Sequence, residues 1–482
     1  MNEKILLINP SYKSREHYFP LGLGYIAGAC AQAGITVECL DLNMGNLTTE
    51  HIRKKIRNDD FFIIGIGGFS TQLKSTIELS NAIKDACPDV IIIVGGLQAF
   101  GCDNFIFNHS RSDIVCMGES EIILPDLIHK LYQGEDLSKI PSIKYRYKNK
   151  VLGNGEFYII PNLNELPFPK YDAFHIDYYI ENNYHRIVGK RTIDFICSRG
   201  CLYKCSYCIN SKKPVKMRYR SIDNILAEIR FLKTNYRIND FSFADEIFTI
   251  NKHKALEICE ALQTEDITWL TSVRADGIND ELLSAMKKGG CRMLLIGFES
   301  GSESILKSMN KKVKLETYYE AIKLLREYDV SFFPNFMIGM PDETEETIKE
   351  TEKLCIDNDL IFGPSYVTPF PGSKLYDDIK DNIDEKEYLM SLSNLNFSKK
   401  PIINLSKMDT ANLIYLRNRA VINTTRSILK KKLKYIPTRI IELALWSYLY
   451  VFNIDNPFLS KMIRSLNKII SQLCLTPKKQ PR

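Results

Sequence analysis

Short apolar runs separated by stretches of helical spacing decide what this chain can fold into. In the first 140 residues the runs are Lys4-Ile-Leu-Leu-Ile8, Thr36-Val-Glu-Cys-Leu40, Phe61-Phe-Ile-Ile-Gly-Ile66, Val90-Ile-Ile-Ile-Val94 and Asp113-Ile-Val-Cys116. A strand that is apolar along its whole length is buried on both faces, and helical stretches between such strands imply parallel pairing. The expected fold is α/β, and this first segment is expected to be a doubly wound, Rossmann-like domain. Ligands of such sheets sit at the carboxyl ends of the strands. Those ends are Asn9-Pro10-Ser11, Gly67-Gly68-Phe69-Ser70-Thr71, Gly95-Gly96-Leu97-Gln98 and Gly118-Glu119-Ser120-Glu121. Their glycines permit close backbone approach to a flat or phosphate-bearing ligand. No GxGxxG fingerprint is present, which argues against a nicotinamide.

A proline-rich stretch with Pro141, Pro161, Pro167 and Pro169 breaks both periodicities and reads as an extended connector over 141–190. His175 and His185 fall within it and are not assigned as ligands. The strand-helix alternation then resumes. Ile193–Cys197, Asp240–Asp245, Thr268–Val273, Met293–Phe298, Phe332–Ile338 and Ser365–Thr368 give six strands with helices between them, the pattern of a partial (β/α)6 barrel over 191–380. Polar residues follow successive strands: Asp245-Glu246, Arg274-Ala-Asp276 and Glu299-Ser-Gly-Ser302.

The barrel's first strand runs into Cys201-Leu-Tyr-Lys-Cys205-Ser-Tyr-Cys208, three cysteines in eight residues. Thiolates are soft ligands suited to iron-sulfur clusters or zinc, and this spacing lets one loop aim three sulfurs at one polynuclear centre. Three ligands leave one iron of a [4Fe-4S] cluster without a protein donor, and a small molecule can coordinate there. A zinc knuckle needs a fourth Cys or His and usually shows paired elements, and no second pair or close His follows. A cysteine-rich turn without metal is the remaining alternative.

At these residues the chain resembles the radical S-adenosylmethionine (SAM) enzymes, whose Cys-x3-Cys-x2-Cys signature carries an aromatic residue before the last cysteine, here Tyr207. The resemblance implies that the open iron chelates SAM and that one electron cleaves it to a 5'-deoxyadenosyl radical. SAM carries an ammonium, a carboxylate and a ribose diol. The resemblance implies that Asp245 or Glu246 holds the amino group, that Arg274 lies near the carboxylate, that Glu299 contacts ribose or methionine atoms, and that main chain at Gly339 lies close to adenine. Pro369-Phe-Pro-Gly-Ser373 resembles the family's closing loop. Ahead of the barrel, the phrases Ile8-Asn-Pro10, Pro20-Leu-Gly-Leu-Gly-Tyr25, Val94-Gly-Gly96 and Gly118-Glu-Ser-Glu121 resemble the cobalamin-dependent branch of the family. That implies cobalamin bound near Ser70, Gly95, Gly96, Gly118 and Glu119. It also implies methyl transfer or ring formation on a small-molecule substrate, with an external electron donor such as flavodoxin or ferredoxin. The Asp-x-His-x-x-Gly motif of some cobalamin proteins is absent, and Gln98 stands where many relatives have histidine, so no cobalt ligand is assigned.

Two other functions fit parts of the pattern. A radical SAM methylthiotransferase needs a second cluster, for which Cys30, Cys39, Cys87, Cys102 and Cys116 are the available ligands. A non-catalytic iron-sulfur or zinc binding module would use the three cysteines for the metal and the basic C-terminal tail to contact membrane or nucleic acid.

Charge is uneven along the chain. From Lys399 to the end there are 17 Lys+Arg against 3 Asp+Glu, a net +14, so residues 1–398 carry −8 of the total +6. This basic region, the last part of a 381–482 segment of helical period, contains Lys430-Lys-Lys-Leu-Lys434 and the aromatic apolar run Ile440–Ile454. The run is shorter than the ~20 residues that a spanning helix needs. It can lie on a membrane surface or pack on the barrel as a helical cap, and the cap is the expected arrangement because apolar stripes usually bury against their own protein. Base-stacking aromatics are not interleaved with the lysines, so nucleic acid is not an expected partner. Thirteen cysteines without regular spacing and an N-terminus that enters a strand directly fit a reducing cytoplasm.

Overall fold

The structure, a computed structural model, describes residues 3–12, 18–44, 47–148, 150–153, 155–182, 191–214, 216–396 and 399–432. The chain divides into two compact units. One contains Met1–Tyr203, Tyr207–Glu246 and Pro369–Leu395, and the other contains Lys204–Ser206, Ile247–Thr368 and the chain from Asn396 on.

The first unit is built on a seven-stranded sheet. Ile5, Leu6, Leu7 and Ile8 are all 0–1% exposed, so both faces of the first strand, Lys4–Asn9, are covered. That strand pairs in parallel with Thr36–Asp41 on one side and Ile63–Gly67 on the other. Ile91–Gly95 and Ile114–Cys116 follow in parallel. The second strand is at one edge and the first lies between it and the third, so the topological switch point falls between Asn9 and Gly67. The doubly wound expectation is met.

The sheet also runs on past residue 140. Ile143–Tyr147 and Lys150–Leu152 form an antiparallel hairpin that adds two strands beside Ile114–Cys116. Only Ile143 of the outer strands is fully buried, and Lys150, Val151 and Leu152 are exposed. An edge hairpin with one solvated face carries alternating polar side chains, and for that reason the segment reads as a connector in sequence. The extended arm proper begins after it. Lys170 N donates to Gly24 O at 2.9 Å, and a Cβ at Gly28 would lie 2.5 Å from Phe168 O, so the Leu21–Gln32 helix lets the arm cross only at a glycine. His175 is exposed, and His185 lies outside the described residues.

All six expected barrel strands are present, two in the first unit and four in the second. Within the first unit Thr192–Phe195 pairs in parallel with Asp240–Phe243. Within the second, Thr268–Val273, Cys291–Glu299, Phe332–Ile338 and Ser365–Tyr366 pair in parallel in succession. The intervening helices start at side-chain caps. Ser221 accepts from Asn224 N before Ile222–Tyr236, and Thr344 and Thr347 form a capping box at the start of Glu345–Asp357.

The last described element of the second unit is a 23-residue helix, Thr410–Lys432, whose Leu413, Leu416 and Ala420 are 0–1% exposed. It lies along Glu345–Asp357: Arg419 meets Glu345 at 3.0 Å, Asn423 donates to Glu352 at 2.8 Å, and Lys431 meets Asp359 at 2.5 Å. This first part of the basic region therefore packs as a cap. The rest of the basic region, with the Ile440–Ile454 run, lies outside the described residues. Among the described residues no helix is long and apolar enough to cross a membrane.

Candidate cofactor sites and family

The entrance to the cysteine loop is pinned by the two acids that follow the Asp240–Phe243 strand. Asp245 accepts from Cys197 N at 3.1 Å and from the Ser198 hydroxyl, and Glu246 accepts from Gly200 N at 3.0 Å. Burial pushes the Asp245 carboxyl up to about 6, against the opposing pull of its hydrogen bonds from Ser198 and Cys197. Gly200 has φ +111, and a Cβ there would lie 2.5 Å from Lys216 O, so the chain turns into the loop only at a glycine. Asp245 is 3% exposed and both its oxygens face protein, whereas Glu246 is partly buried. Of the two acids expected at the amino group, Glu246 is the better placed for a ligand.

Cys201 is 8% exposed, Cys205 7%, and Cys208 is half-buried, and none is in a disulfide. Residues 201–205 have neither helix nor strand structure, and Tyr207 lies in the turn that follows, partly buried. Cys197 is wholly buried and is not part of the set.

In the second unit Arg274 Nη1 donates to Cys205 Sγ at 3.8 Å. Its Nε and Nη2 donate to the two oxygens of Asp276, each at 3.0 Å, and Nη2 also donates to Lys311 O at 2.7 Å. Lys311 in turn pairs with Glu299 at 2.9 Å, with the two side chains only 5% and 11% exposed. Glu299 sits at φ +66, beyond a register shift between Gly297 and Glu299. A Cβ at Gly297 would lie 2.4 Å from Glu299 Oε1 and 3.1 Å from Lys311 Nζ, so the missing side chain is the room this ion pair occupies. Gly339, at φ +97, donates its N–H to Glu343 at 3.2 Å. Lys311 was not singled out in the sequence. The one local signal is the Asn310-Lys311-Lys312 turn, where Asn310 and Lys312 both have positive φ.

At the strand ends of the seven-stranded sheet, Ser70 is buried and opens the turn Ser70–Gln72. Gln72 Nε2 donates to Asn9 Oδ1 at 2.9 Å and to Pro10 O at 2.5 Å, tying together the two loops of the switch point. Gly96, at φ +80, lies against Gly68, and around Gly95 a Cβ would meet nothing closer than Cys116 at 3.9 Å. Phe69, Leu97 and Ile122, one on each of three strand-end loops, are 60%, 37% and 41% exposed. Exposed apolar side chains beside bare backbone suit a broad, flat, largely apolar ligand. Gln98 turns away into the fold, where it accepts from Thr76 at 2.8 Å.

Gly118 and Glu119 have protein partners. A Cβ at Gly118 would lie 2.6 Å from the Tyr158 backbone, and Glu119 pairs with Arg218 at 2.5 and 2.8 Å. Arg199 reaches Glu121 at 2.6 Å and Glu119 at 3.8 Å. Burial alone would raise the Glu119 carboxyl, but these guanidiniums hold it below its ordinary range. The loop is thus a buried ionic strut, and the partners Arg199 and Arg218 were not legible in advance because they come from a later part of the chain.

Residues 12–128 match the B12 binding domain, and residues 195–355 match the radical SAM superfamily, in that order. The chain carries the two domains of the cobalamin-dependent radical SAM family, in that family's order. An uncharacterized methyltransferase of Pyrococcus horikoshii is 29% identical over 385 residues, 78% of this chain and 82% of that protein. The anaerobic magnesium-protoporphyrin IX monomethyl ester cyclase of Synechocystis is 27% identical over 390 residues, 77% of this chain and 76% of that protein. The fold is that of the cobalamin-dependent SAM radical enzyme OxsB, solved with aqua-cobalamin and SAM bound. The match has a TM-score of 0.65 and 19% identity and covers 98% of this chain and 72% of that one.

The residues present fit the cofactors of this radical SAM enzyme. Three cysteines outside any disulfide share one loop, thiolates are the soft ligands that iron-sulfur clusters take, and the Arg274 guanidinium lies 3.8 Å from the Cys205 sulfur. Among the described residues no three Cys, His, Asp or Glu side chains converge where a single metal ion could sit. Cluster ligation, in which each thiolate meets a different iron, asks for wider spacing. A second cluster has poorer donors: burial pushes the Cys30 and Cys116 thiols up to about 12, and the Cys39 and Cys102 thiols also upward.

Proposed function

We propose that Cys201, Cys205 and Cys208 hold a [4Fe-4S] cluster with SAM on its fourth iron, and that cobalamin lies over Ser70, Gly95 and Gly96. When bound, cluster and SAM supply a 5'-deoxyadenosyl radical that removes hydrogen from an unreactive carbon, and cobalamin supplies the methyl group. The chain's own residues bind and orient. Glu246 takes the SAM ammonium, Glu299 the ribose or methionine side, and the backbone at Gly339 the adenine, while Asp245 holds the loop entrance at Cys197 and Ser198. The observation that carries this reading is the cysteine loop itself, whose Cys205 sulfur faces the Arg274 guanidinium at 3.8 Å, following a sheet with open glycine backbone at Gly95, the end of the Ile91–Gly95 strand.

The reaction we favour is C-methylation of a small molecule. Ring closure is the second reading, supported by the similarity to the Synechocystis cyclase. The external reductant is an acidic one-electron carrier such as flavodoxin or ferredoxin. The C-terminal region acts as a cap, supported by the Thr410–Lys432 packing, rather than as a membrane-surface anchor.

Anaerobic reconstitution tests the assignment. About four irons per chain, with 5'-deoxyadenosine formed from SAM and reductant and lost in Cys205→Ala, are expected. An intact cluster that never cleaves SAM would sink the radical assignment, and failure to retain supplied cobalamin would remove the cobalamin half.

A further inference from the structure

The Lys204–Ser206 segment and the Arg274 side chain are held by the same turn. Ser206 N donates to Met309 O at 2.9 Å, the Ser206 hydroxyl to Ser308 O at 3.3 Å, and Asn310 Nδ2 to Lys204 O at 2.7 Å. On the next residue, Lys311 O receives Arg274 Nη2 at 2.7 Å. Asp276 holds the guanidinium from its other edge with two bonds of 3.0 Å, and this fixes the plane so that Nη1 faces Cys205 Sγ. Arg274 is 2% exposed and Cys205 7%, so solvent and salt screen this contact little.

We propose that Arg274 is a positioning residue for the iron-sulfur cluster rather than a contact for the SAM carboxylate, donating Nη1–H to the Cys205 sulfur and setting the ease with which the cluster accepts an electron. The inference rests on the reading that Cys205 binds iron. Adding one electron makes the cluster more negative, and a cation with a hydrogen bond at a ligand sulfur stabilises that state more than the oxidised one. Asp276 opposes the effect: its carboxylate neutralises much of the guanidinium charge. The two side chains therefore act on the potential with opposite signs, which a purely structural role does not predict.

The test uses full-length protein reconstituted anaerobically without SAM. Iron and sulfide content and the EPR signal of the reduced wild-type cluster come first, since a wild type without a cluster would defeat the functional reading independently of this one. An EPR-monitored redox titration of the variants follows. At a fixed potential, Arg274→Met lowers the ratio of reduced to oxidised cluster about tenfold, equivalent to about 59 mV for a one-electron couple. Asp276→Asn raises it. Asn310→Ala loosens the Lys204 carbonyl without touching charge, so it lowers iron retention and leaves the potential in place. Ratios for Arg274→Met and Asp276→Asn that stay within about twofold of wild type, or shift in the same direction, overturn the proposal. Should Arg274→Met hold no cluster, Asp276→Asn decides alone.

Discussion

Lys311→Met should be among the most damaging single changes in the second unit, and its cost can be worked from the ion pair. Lys311 Nζ and Glu299 Oε1 are 2.9 Å apart, with the side chains 5% and 11% exposed. Unit charges at 4 Å attract by about 4 kcal/mol at an effective dielectric near 20, so at this closer distance the pair offsets a substantial desolvation penalty. Methionine keeps the volume but leaves a buried carboxylate without that cation, which costs about 3–5 kcal/mol. Adding Glu299→Gln removes the stranded charge, so the double variant should recover most of the loss even though it carries one more substitution. Trp269, 0% exposed in the strand beside Cys291–Glu299, reports on this unit. Trp446 is the other tryptophan of the chain, and Trp446→Phe gives a single-probe background. Guanidinium titrations followed by Trp269 fluorescence then compare the transition of this unit alone, which avoids treating a two-unit chain as two-state. A loss under about 1 kcal/mol in Lys311→Met, or a double variant no more stable than the single, refutes the reasoning.

Three further outcomes are expected. Burial raises the Asp245 carboxyl to about 6, so the folded protein keeps a proton that the unfolded chain has already released. This contribution to stability is present at pH 4 and lost as pH rises through 6, and between those values Asp245→Asn should lose less stability than wild type, by at most about 3 kcal/mol in thermal unfolding. Gly200→Ala forces a Cβ to 2.5 Å from Lys216 O at φ +111 and should cost about 1–3 kcal/mol; iron bound after reconstitution should fall with it. Leu413→Ala in the cap helix should cost about 2–5 kcal/mol and expose residues 400–432 to limited proteolysis, and an unchanged cleavage pattern would count against the cap.

Most of the fold was legible because fully buried parallel strands are written as unbroken apolar runs. Ile91–Gly95 lies within a residue of where the Val90–Val94 run places it, since a strand covered on both faces leaves no polar position to blur the pattern. The Ile143–Leu152 hairpin was not legible, because an edge pair needs only one buried face, and its Lys, Arg and Tyr residues look like linker. At the candidate site, residue types and order singled out the cysteines, Asp245, Glu246, Arg274 and Glu299. Orientation is a tertiary property. Nothing local says that Arg274 turns to Cys205 and Asp276, that Lys311 meets Glu299, or that Glu119 is gripped by Arg218, 99 residues away.

Gly297 shows how narrowly such a site can tolerate genetic change. Any single-base change in a glycine codon that alters the amino acid adds at least a Cβ, and here that atom would stand 2.4 Å from a carboxylate oxygen and 3.1 Å from an ammonium nitrogen. Every one-step missense variant at this codon therefore has to push aside the ends of the paired Glu299 and Lys311 side chains, whatever its polarity. The neighbouring Phe298 can exchange for other large apolar residues by one base, so two adjacent codons should differ sharply in the variants that selection leaves behind.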